Sequence, residues 1–198
     1  MAEVRSTFRL KRGDRAPEFT LPEGGKGDTY SLEELMEGRE ALVVSFLCNH
    51  CPYVKHLAPY IGEIASEYSE RGVQFVGINS NDFQKYPDDA PDKMQIFADD
   101  SGWKFPYLVD ASQEVARAYS ASCTPDFYVF NKDLELTYAG QFDGSRPGNS
   151  APITGADLRG ALERSLRGGK GEGLRMKPSS GCNIKWKPGN EPDYFGSS

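Results

Sequence analysis

The spacing of apolar positions changes period several times along the chain. Ala41-Leu42-Val43-Val44-Ser45-Phe46 is a nearly continuous apolar run of strand length, the pattern of a central strand covered on both faces. After Cys51 the apolar residues Val54, Leu57, Ile61, Ile64 and Tyr68 step by 3, 4, 3 and 4, which is one face of an amphipathic helix. Pro59 lies inside that helix and is expected to kink it, because it removes an N–H and crowds the preceding turn. Arg71-Gly72 ends the helix, and Val73 to Asn79 reads as a second strand. Polar residues Ser80 to Asp92 read as a loop and Lys93 to Ala98 as a helix. Phe105 to Val109 is strand-like, and Gln113 to Tyr119 reads as a helix started by Asp110 or Ser112. Asp126 to Phe130 and Leu136 to Phe142 flank the turn-forming Asn131-Lys132-Asp133 and predict a β-hairpin. Leu158, Ala161, Leu162 and Leu166 mark the apolar face of a last helix, started at Thr154 to Asp157 and stopped by Gly168-Gly169.

Upstream, Gly13 to Leu21 reads as an extended lead-in. Ser31-Leu32-Glu33-Glu34 is a capping box that opens a brief helix stopped by Gly38. Strands and helices in alternation, then a hairpin and a closing helix, predict an α/β fold with a mixed central sheet and right-handed crossovers. The pattern divides the chain into a body, residues 1–167 with its N-terminal extension, and a tail, residues 168–198. Ten of the 31 tail residues are Gly or Pro, yet it carries Cys182, Ile184 and Trp186, an odd set for a plain solvated tail.

Composition narrows the function classes. With 23 Lys+Arg against 29 Asp+Glu in 198 residues, the net charge of −6 disfavours nucleic acid or an anionic membrane as partner. No stretch approaches the roughly 20 apolar residues of a membrane span, and the start lacks the apolar region of a signal peptide. The expectation is a cytoplasmic protein, monomeric or a weak dimer. Four cysteines are too few for a disulfide scaffold of this size.

Their placement carries the chemistry. Cys48 and Cys51 form a C-x-x-C where a buried strand gives way to a helix. Zinc would need a second pair at local spacing, whereas Cys123 lies 72 residues on and Cys182 another 59. A thiol at a helix N-terminus meets unpaired N–H groups and partial positive charge, which favour the thiolate, the nucleophilic form. The reading is a redox dithiol with no metal and no other cofactor: Cys48 attacks a target disulfide and Cys51 resolves the mixed disulfide. His50, when protonated, would stabilise the thiolate further; a solvent-facing spacer is its plainer reading, as a solvated helix face is for Lys55 and His56.

Phe46-Leu47-Cys48-Asn49-His50-Cys51-Pro52-Tyr53-Val54-Lys55, read with Cys123-Thr124-Pro125-Asp126-Phe127 and the terminal Gly181-Cys182-Asn183-Ile184-Lys185-Trp186, resembles the thioredoxin superfamily. The similarity is to its redoxin branch (alkyl hydroperoxide reductase/thiol-specific antioxidant-like), and within it to a bacterial subgroup sharing these three strings. It covers roughly residues 13 to 167. The resemblance implies a thioredoxin-like fold, an exposed nucleophile at Cys48, a resolving thiol at Cys51 and a cis Pro125. It also implies that Thr124, the residue before that proline, pairs its backbone with a bound substrate chain. Asn49 and His50 occupy the spacer that tunes the potential. An Asn-His spacer is closer in type to the Gly-His of disulfide isomerases than to the Gly-Pro of thioredoxins, which implies a less reducing potential. Leu42 stands where thioredoxins bury an acid, and Val54 where cytochrome-maturing redoxins carry a Glu, so the proton acceptor for Cys51 is unassigned among His50, His56 and water. The peroxiredoxin proline is missing in either cysteine register, which makes peroxidase activity the weaker reading.

Cys123, two residues before Pro125, reads either as a small buried hydrophobe or as a neighbour of the site. A tail folded back on Ile184 and Trp186 would bring Cys182 to the dithiol as a relay thiol, or bridge it to Cys123; a packing arm or dimer contact is the plainer alternative. The acidic residues Asp82, Asp88, Asp89, Asp92, Asp99 and Asp100 lack the periodicity of a calcium loop and read as a solvated insertion. The leading expectation is therefore a thiol–disulfide oxidoreductase acting on protein or small-molecule disulfides with a thiol electron donor. A thiol-dependent hydroperoxide reductase is the second reading, and a metal-binding or redox-sensing module the third.

Overall fold

The structure, a computed structural model, describes residues 3–196. In chain order the described elements are β1 (Glu3–Arg5), β2 (Thr20–Pro22), β3 (Thr29–Ser31), α1 (Leu32–Met36), β4 (Ala41–Phe46), α2 (Pro52–Ser69), β5 (Val73–Asn79), a 3-10 turn at Pro87–Asp89, α3 (Pro91–Asp100), β6 (Tyr107–Val109), α4 (Glu114–Tyr119), β7 (Cys123–Thr124), β8 (Asp126–Asn131), β9 (Leu136–Gly140), α5 (Ala156–Leu166) and β10 (Ser180–Asn183).

The apolar run at 41–46 is β4, the middle of a five-stranded sheet ordered β6-β5-β4-β8-β9. β4 runs parallel to β5 and antiparallel to β8, which makes the sheet mixed as the pattern predicts. All six β4 residues are buried because both faces are covered. Val43 points to one side with Phe75, Phe127 and Val129, against Leu57 and Ile61 of α2 and Leu158 and Leu162 of α5. Leu42, Val44 and Phe46 point to the other with Val76, Ile78 and Phe130, against Leu35 of α1 and Val115, Ala116 and Tyr119 of α4. The predicted capping box is present: Ser31 accepts from the Glu34 backbone N–H, and Glu34 returns to the Ser31 N–H. Helix α2 runs unbroken through Pro59 from 52 to 69. No helix among the described residues is long and apolar enough to cross a membrane.

The tail is tied down by a second sheet, ordered β1-β10-β7. β10 pairs antiparallel with both neighbours, placing Cys182 opposite Thr124 on one side and Glu3 on the other. A Cβ on Gly181 would lie 2.0 Å from the Thr124 carbonyl oxygen, so only glycine permits this approach. Beyond the strand, Ile184, Trp186 and Tyr194 are buried in the cluster that holds Tyr119. The Lys185 N–H donates to Asn81 Oδ1 at 2.8 Å, and the Asp82 N–H donates to the Lys185 carbonyl at 2.8 Å. The tail anchors are those the sequence suggested, but they serve a strand that none of its periodicities announced.

The loop after β5 departs from expectation. Asp89 is 1% exposed and Asn81 and Asp82 are also buried, so part of this acidic stretch is packed inward instead of solvated. The physical reason is that the buried Asp89 carboxylate is met by donors from Asn49, His50 and Asn81.

Candidate active site

The site sits where β4 ends and α2 begins, against the loop carrying the cis Thr124–Pro125 peptide. Pro52 is the first residue of α2, where its missing N–H costs nothing, and this makes Cys51 the N-cap. The favourable field of the helix end thus falls on Cys51 more directly than on Cys48, three residues upstream.

Four thiols stand unbridged and buried in this region. Cys48 Sγ lies 3.3 Å from Thr124 Oγ1, and Cys51 Sγ lies 3.3 Å from the Thr124 carbonyl oxygen. Cys51 Sγ also lies 2.8 Å from Cys182 Sγ. Cys182 therefore meets the dithiol at Cys51 and not at Cys123. Side chains alternate along a strand and directly opposed residues share a face, so Cys182 shares that of Thr124 while Cys123 points the other way. The Cys123 thiol is 4.0 Å from the Pro125 carbonyl oxygen, and burial together with the nearby Asp126 charge pushes its pKa up.

The same geometry orders the ionisation. Hydrogen bonds from the Cys182 and Cys48 thiols, outweighing burial, hold Cys51 far below an ordinary thiol. Cys48 is raised by its burial, by sharing its proton with Cys51, and by the Asp89 charge; Thr124 opposes the rise. Cys182 is raised because its S–H is committed to Cys51 and because it is buried. Of the three sulfurs it is the middle one, Cys51, whose thiol is held down, while its two neighbours are pushed up. Nor is Cys48 the exposed nucleophile that the resemblance implies: it is 1% exposed and Cys51 0%, at the site that β7 and β10 close over.

His50 and Asn49 are held by the acidic loop. His50 Nδ1 is 2.6 Å from Asp89 Oδ2, and the ring stacks on Tyr86. The Asn49 N–H donates to Asp89 Oδ1 at 2.7 Å, its side-chain amide donates to the Asp88 carbonyl, and its Oδ1 accepts from Tyr107. Asn81 donates to Asp89 Oδ2 at 2.8 Å while accepting from the tail, so it links the tail to this carboxylate. Burial alone would raise the Asp89 carboxyl; the bonds from His50, Asn81 and Asn49 outweigh it and hold it below the usual carboxylate range. His50 is therefore a partly buried, oriented ring and not a free spacer. His56 lies farther along α2, beside Pro125 in a cavity of about 10 Å³, room for about one water, and its Nε2 has no hydrogen-bond partner among the described residues.

Sequence reasoning placed Cys48, Asn49, His50, Cys51, Thr124, Pro125 and Cys182 in this neighbourhood, and the structure brings them together. It missed Asp89, Asn81 and Tyr107. The one available signal for Asp89 was chemical: a histidine beside a dithiol needs something to orient it. Cys48, His50 and Asp89 also each offer an atom lying within 4.8 Å of the others. Three such donors resemble a partial metal shell, but a closed zinc site takes four, and no further Cys, His, Asp or Glu joins them among the described residues.

Asp126, just after the cis-proline, is fully buried and accepts from Ser6 and Tyr128. Burial pushes its pKa up to about 6 despite those bonds. A raised carboxyl favours the folded state below its unfolded pKa, and that contribution is lost as pH rises through the folded value. Stability should therefore fall between about pH 4 and pH 6 by roughly 3 kcal/mol from this group. Asp126→Asn should flatten that part of the profile, as followed by urea unfolding across the range.

The Redoxin family model matches residues 11–157. Among curated relatives, the chain is 28% identical over 126 residues to the thiol-disulfide oxidoreductase ResA of Halalkalibacterium halodurans, covering 64% of this chain and 66% of that one. It is 32% identical over 118 residues to a putative peroxiredoxin of Mycobacterium tuberculosis, covering 60% and 69% respectively. The chain thus spans about two thirds of the length of each. Among solved structures, an uncharacterized conserved protein from Geobacillus kaustophilus superposes with a TM-score of 0.90 at 46% identity, over 95% of this chain and 98% of that one. A putative thiol:disulfide interchange protein DsbE from Chlorobium tepidum, 20% identical with a TM-score of 0.62 over 79% and 99%, shares the fold. The mixed sheet, the C-x-x-C at the head of α2, the cis-proline facing it and the family match over most of the chain agree: this is a thioredoxin-fold oxidoreductase belonging to the redoxin family.

Proposed function

We propose that the chain catalyses thiol–disulfide exchange through Cys48 and Cys51, taking electrons from a thiol donor and passing them to protein or small-molecule disulfides. The observation that carries this reading is the placement of both sulfurs at the start of α2 within 3.3 Å of Thr124. The Cys51 thiol is held down and the Cys48 thiol is pushed up, so Cys48 is the later of the two to give up its proton. Passing that proton to Cys51 makes Cys48 the attacking thiolate, with Thr124 Oγ1 as its hydrogen-bond donor. Cys48 Sγ then bonds to one target sulfur and the other target sulfur leaves. Cys51, once deprotonated, attacks Cys48 Sγ, releases the target as a thiolate and leaves a Cys48–Cys51 disulfide. Cys48 is buried at rest, so a protein target must displace part of what covers it before the sulfurs meet. Asp89 orients His50, whose ring borders the sulfur that changes charge. A reducing compartment such as the cytoplasm would keep all four cysteines as thiols between turnovers.

The relative named a peroxiredoxin keeps hydroperoxide reduction as the second reading. Insulin reduction beside hydroperoxide reduction, with one dithiol donor, separates the two. Insulin turnover well above that of the donor alone is expected. Hydroperoxide turnover without any disulfide reduction would replace thiol–disulfide exchange with the second reading.

A further inference from the structure

Three sulfurs, not two, lie in contact at the site. Cys51 is the middle member: it shares a proton with Cys48 on one side and lies 2.8 Å from Cys182 Sγ on the other. A disulfide has its sulfurs about 2.05 Å apart, so closing the second gap needs an approach of about 0.8 Å. The contact is built in. β10 is held on β7 by ladder pairing at Cys182↔Thr124 and Asn183↔Cys123. Gly181 permits the close approach, and Ile184, Trp186 and the Lys185–Asn81 bond fix the chain beyond the strand.

The geometry points to Cys182 as a third redox thiol that exchanges disulfides with Cys51. This rests on the Cys48/Cys51 reading above and extends it. After a target has been reduced, the chain holds a Cys48–Cys51 disulfide and a Cys182 thiol. Cys182, deprotonated, attacks Cys51 Sγ: the Cys51–Cys182 bond forms, the Cys48–Cys51 bond breaks, and Cys48 leaves as a thiolate that takes up the proton. No electrons enter or leave the chain in this step. A dithiol donor then attacks Cys182 Sγ, releasing Cys51, and its second thiol resolves the mixed disulfide; the donor ends oxidised and both protein thiols end reduced. Cys182 lies on the strand between β1 and β7, so the oxidised bond moves from the α2 end of the site to the tail strand, where the donor meets it. The same bond, while it lasts, fastens β10 across Thr124.

Peptide mapping of the full chain tests this. Reduced chain is oxidised with one equivalent of diamide, quenched in acid, alkylated and digested with trypsin. Residues 40–55 contain Cys48 and Cys51, 118–132 contain Cys123 and 176–185 contain Cys182. In wild type a fraction of 40–55 should be linked to 176–185, the rest carrying the internal Cys48–Cys51 bond. In Cys48→Ser, where Cys51 is the only cysteine left in 40–55, the link to 176–185 should become the main product. In Cys182→Ser and Cys182→Ala, reduction of the oxidised chain by dithiothreitol should slow at least about fivefold. A normal Cys48–Cys51 bond with no 40–55 to 176–185 link, in wild type and in Cys48→Ser alike, overturns the third thiol and leaves the dithiol reading standing. Failure of any bond to form at Cys48 or Cys51 would instead sink both.

Discussion

Cys48→Ser is expected to abolish disulfide reduction, with kcat/KM falling by about 10³-fold or more, the order that removal of a nucleophile costs in covalent enzymes. Cys51→Ser should fall as far in turnover yet behave differently: the first exchange proceeds and the second cannot, so a mixed disulfide with the target accumulates on Cys48. The asymmetry follows from the site's geometry. Cys48 has Thr124 Oγ1 at 3.3 Å as a donor to its thiolate, while Cys51 sits at the helix cap beneath it with Cys182 behind. Non-reducing electrophoresis and intact mass of each variant after exposure to a disulfide substrate read the difference. Equal trapping by both variants would mean that either sulfur can attack. Cys51→Ser also removes the sulfur that is the hydrogen-bonding partner raising the Cys48 pKa, so Cys48 should ionise at lower pH in this variant.

Asp89→Ala is expected to cost about 3 kcal/mol of stability. The substitution leaves the Asn49 N–H and the Asn81 amide as buried donors without an acceptor and removes the partner of His50. For a domain of this size that lowers Tm by about 6–12 °C. Because the Asp89 carboxyl is held below its ordinary range, its contribution is present at neutral pH and is lost as pH falls through the folded value. Wild type should accordingly lose stability in acid more steeply than the variant does. Asp89→Asn gives the electrostatic half of the prediction with less damage to packing. The Asp89 charge is one cause of the raised Cys48 pKa, so the neutral variant should ionise Cys48 at lower pH. Alkylation rate at Cys48 against pH, resolved by peptide mapping, reads that shift; a curve moved to higher pH would contradict the sign.

The framework of this fold was legible wherever a period ran long enough to be seen. A run of six residues with Ser45 its one polar member marked β4, and five apolar positions at helical spacing fixed α2 and its buried face. The helix cap was not read from the sequence: the structure places it at Cys51, with Pro52 as the first helical residue, so Cys51 stands at the helix end and not one turn inside it. β10 and β7 were not legible: strands of four and two residues carry no period, and the Gly181 that permits their approach reads as a loop residue. Asp89 was hidden differently. Six aspartates between 82 and 100 look alike along the chain, and only the return of the loop over His50 decides which one is buried against it. The chemistry of Cys182 depends on the first of these gaps. Its sequence neighbours announced an anchored tail, but the thiol it would meet depended on a register, Cys182 opposite Thr124, that only the folded chain supplies.

The central claim is that Cys48 and Cys51 together carry two electrons to a disulfide. A single-turnover reaction tests it most directly: reduced chain is mixed with an excess of insulin without any donor, quenched, and its free thiols located by differential alkylation. The dithiol mechanism predicts the loss of two thiols per chain, both within residues 40–55 or divided between 40–55 and 176–185, with two insulin thiols released and Cys123 still free. Insulin reduction by a Cys48→Ser/Cys51→Ser chain at the wild-type rate, or thiol loss at Cys123 with 40–55 fully reduced, would contradict it.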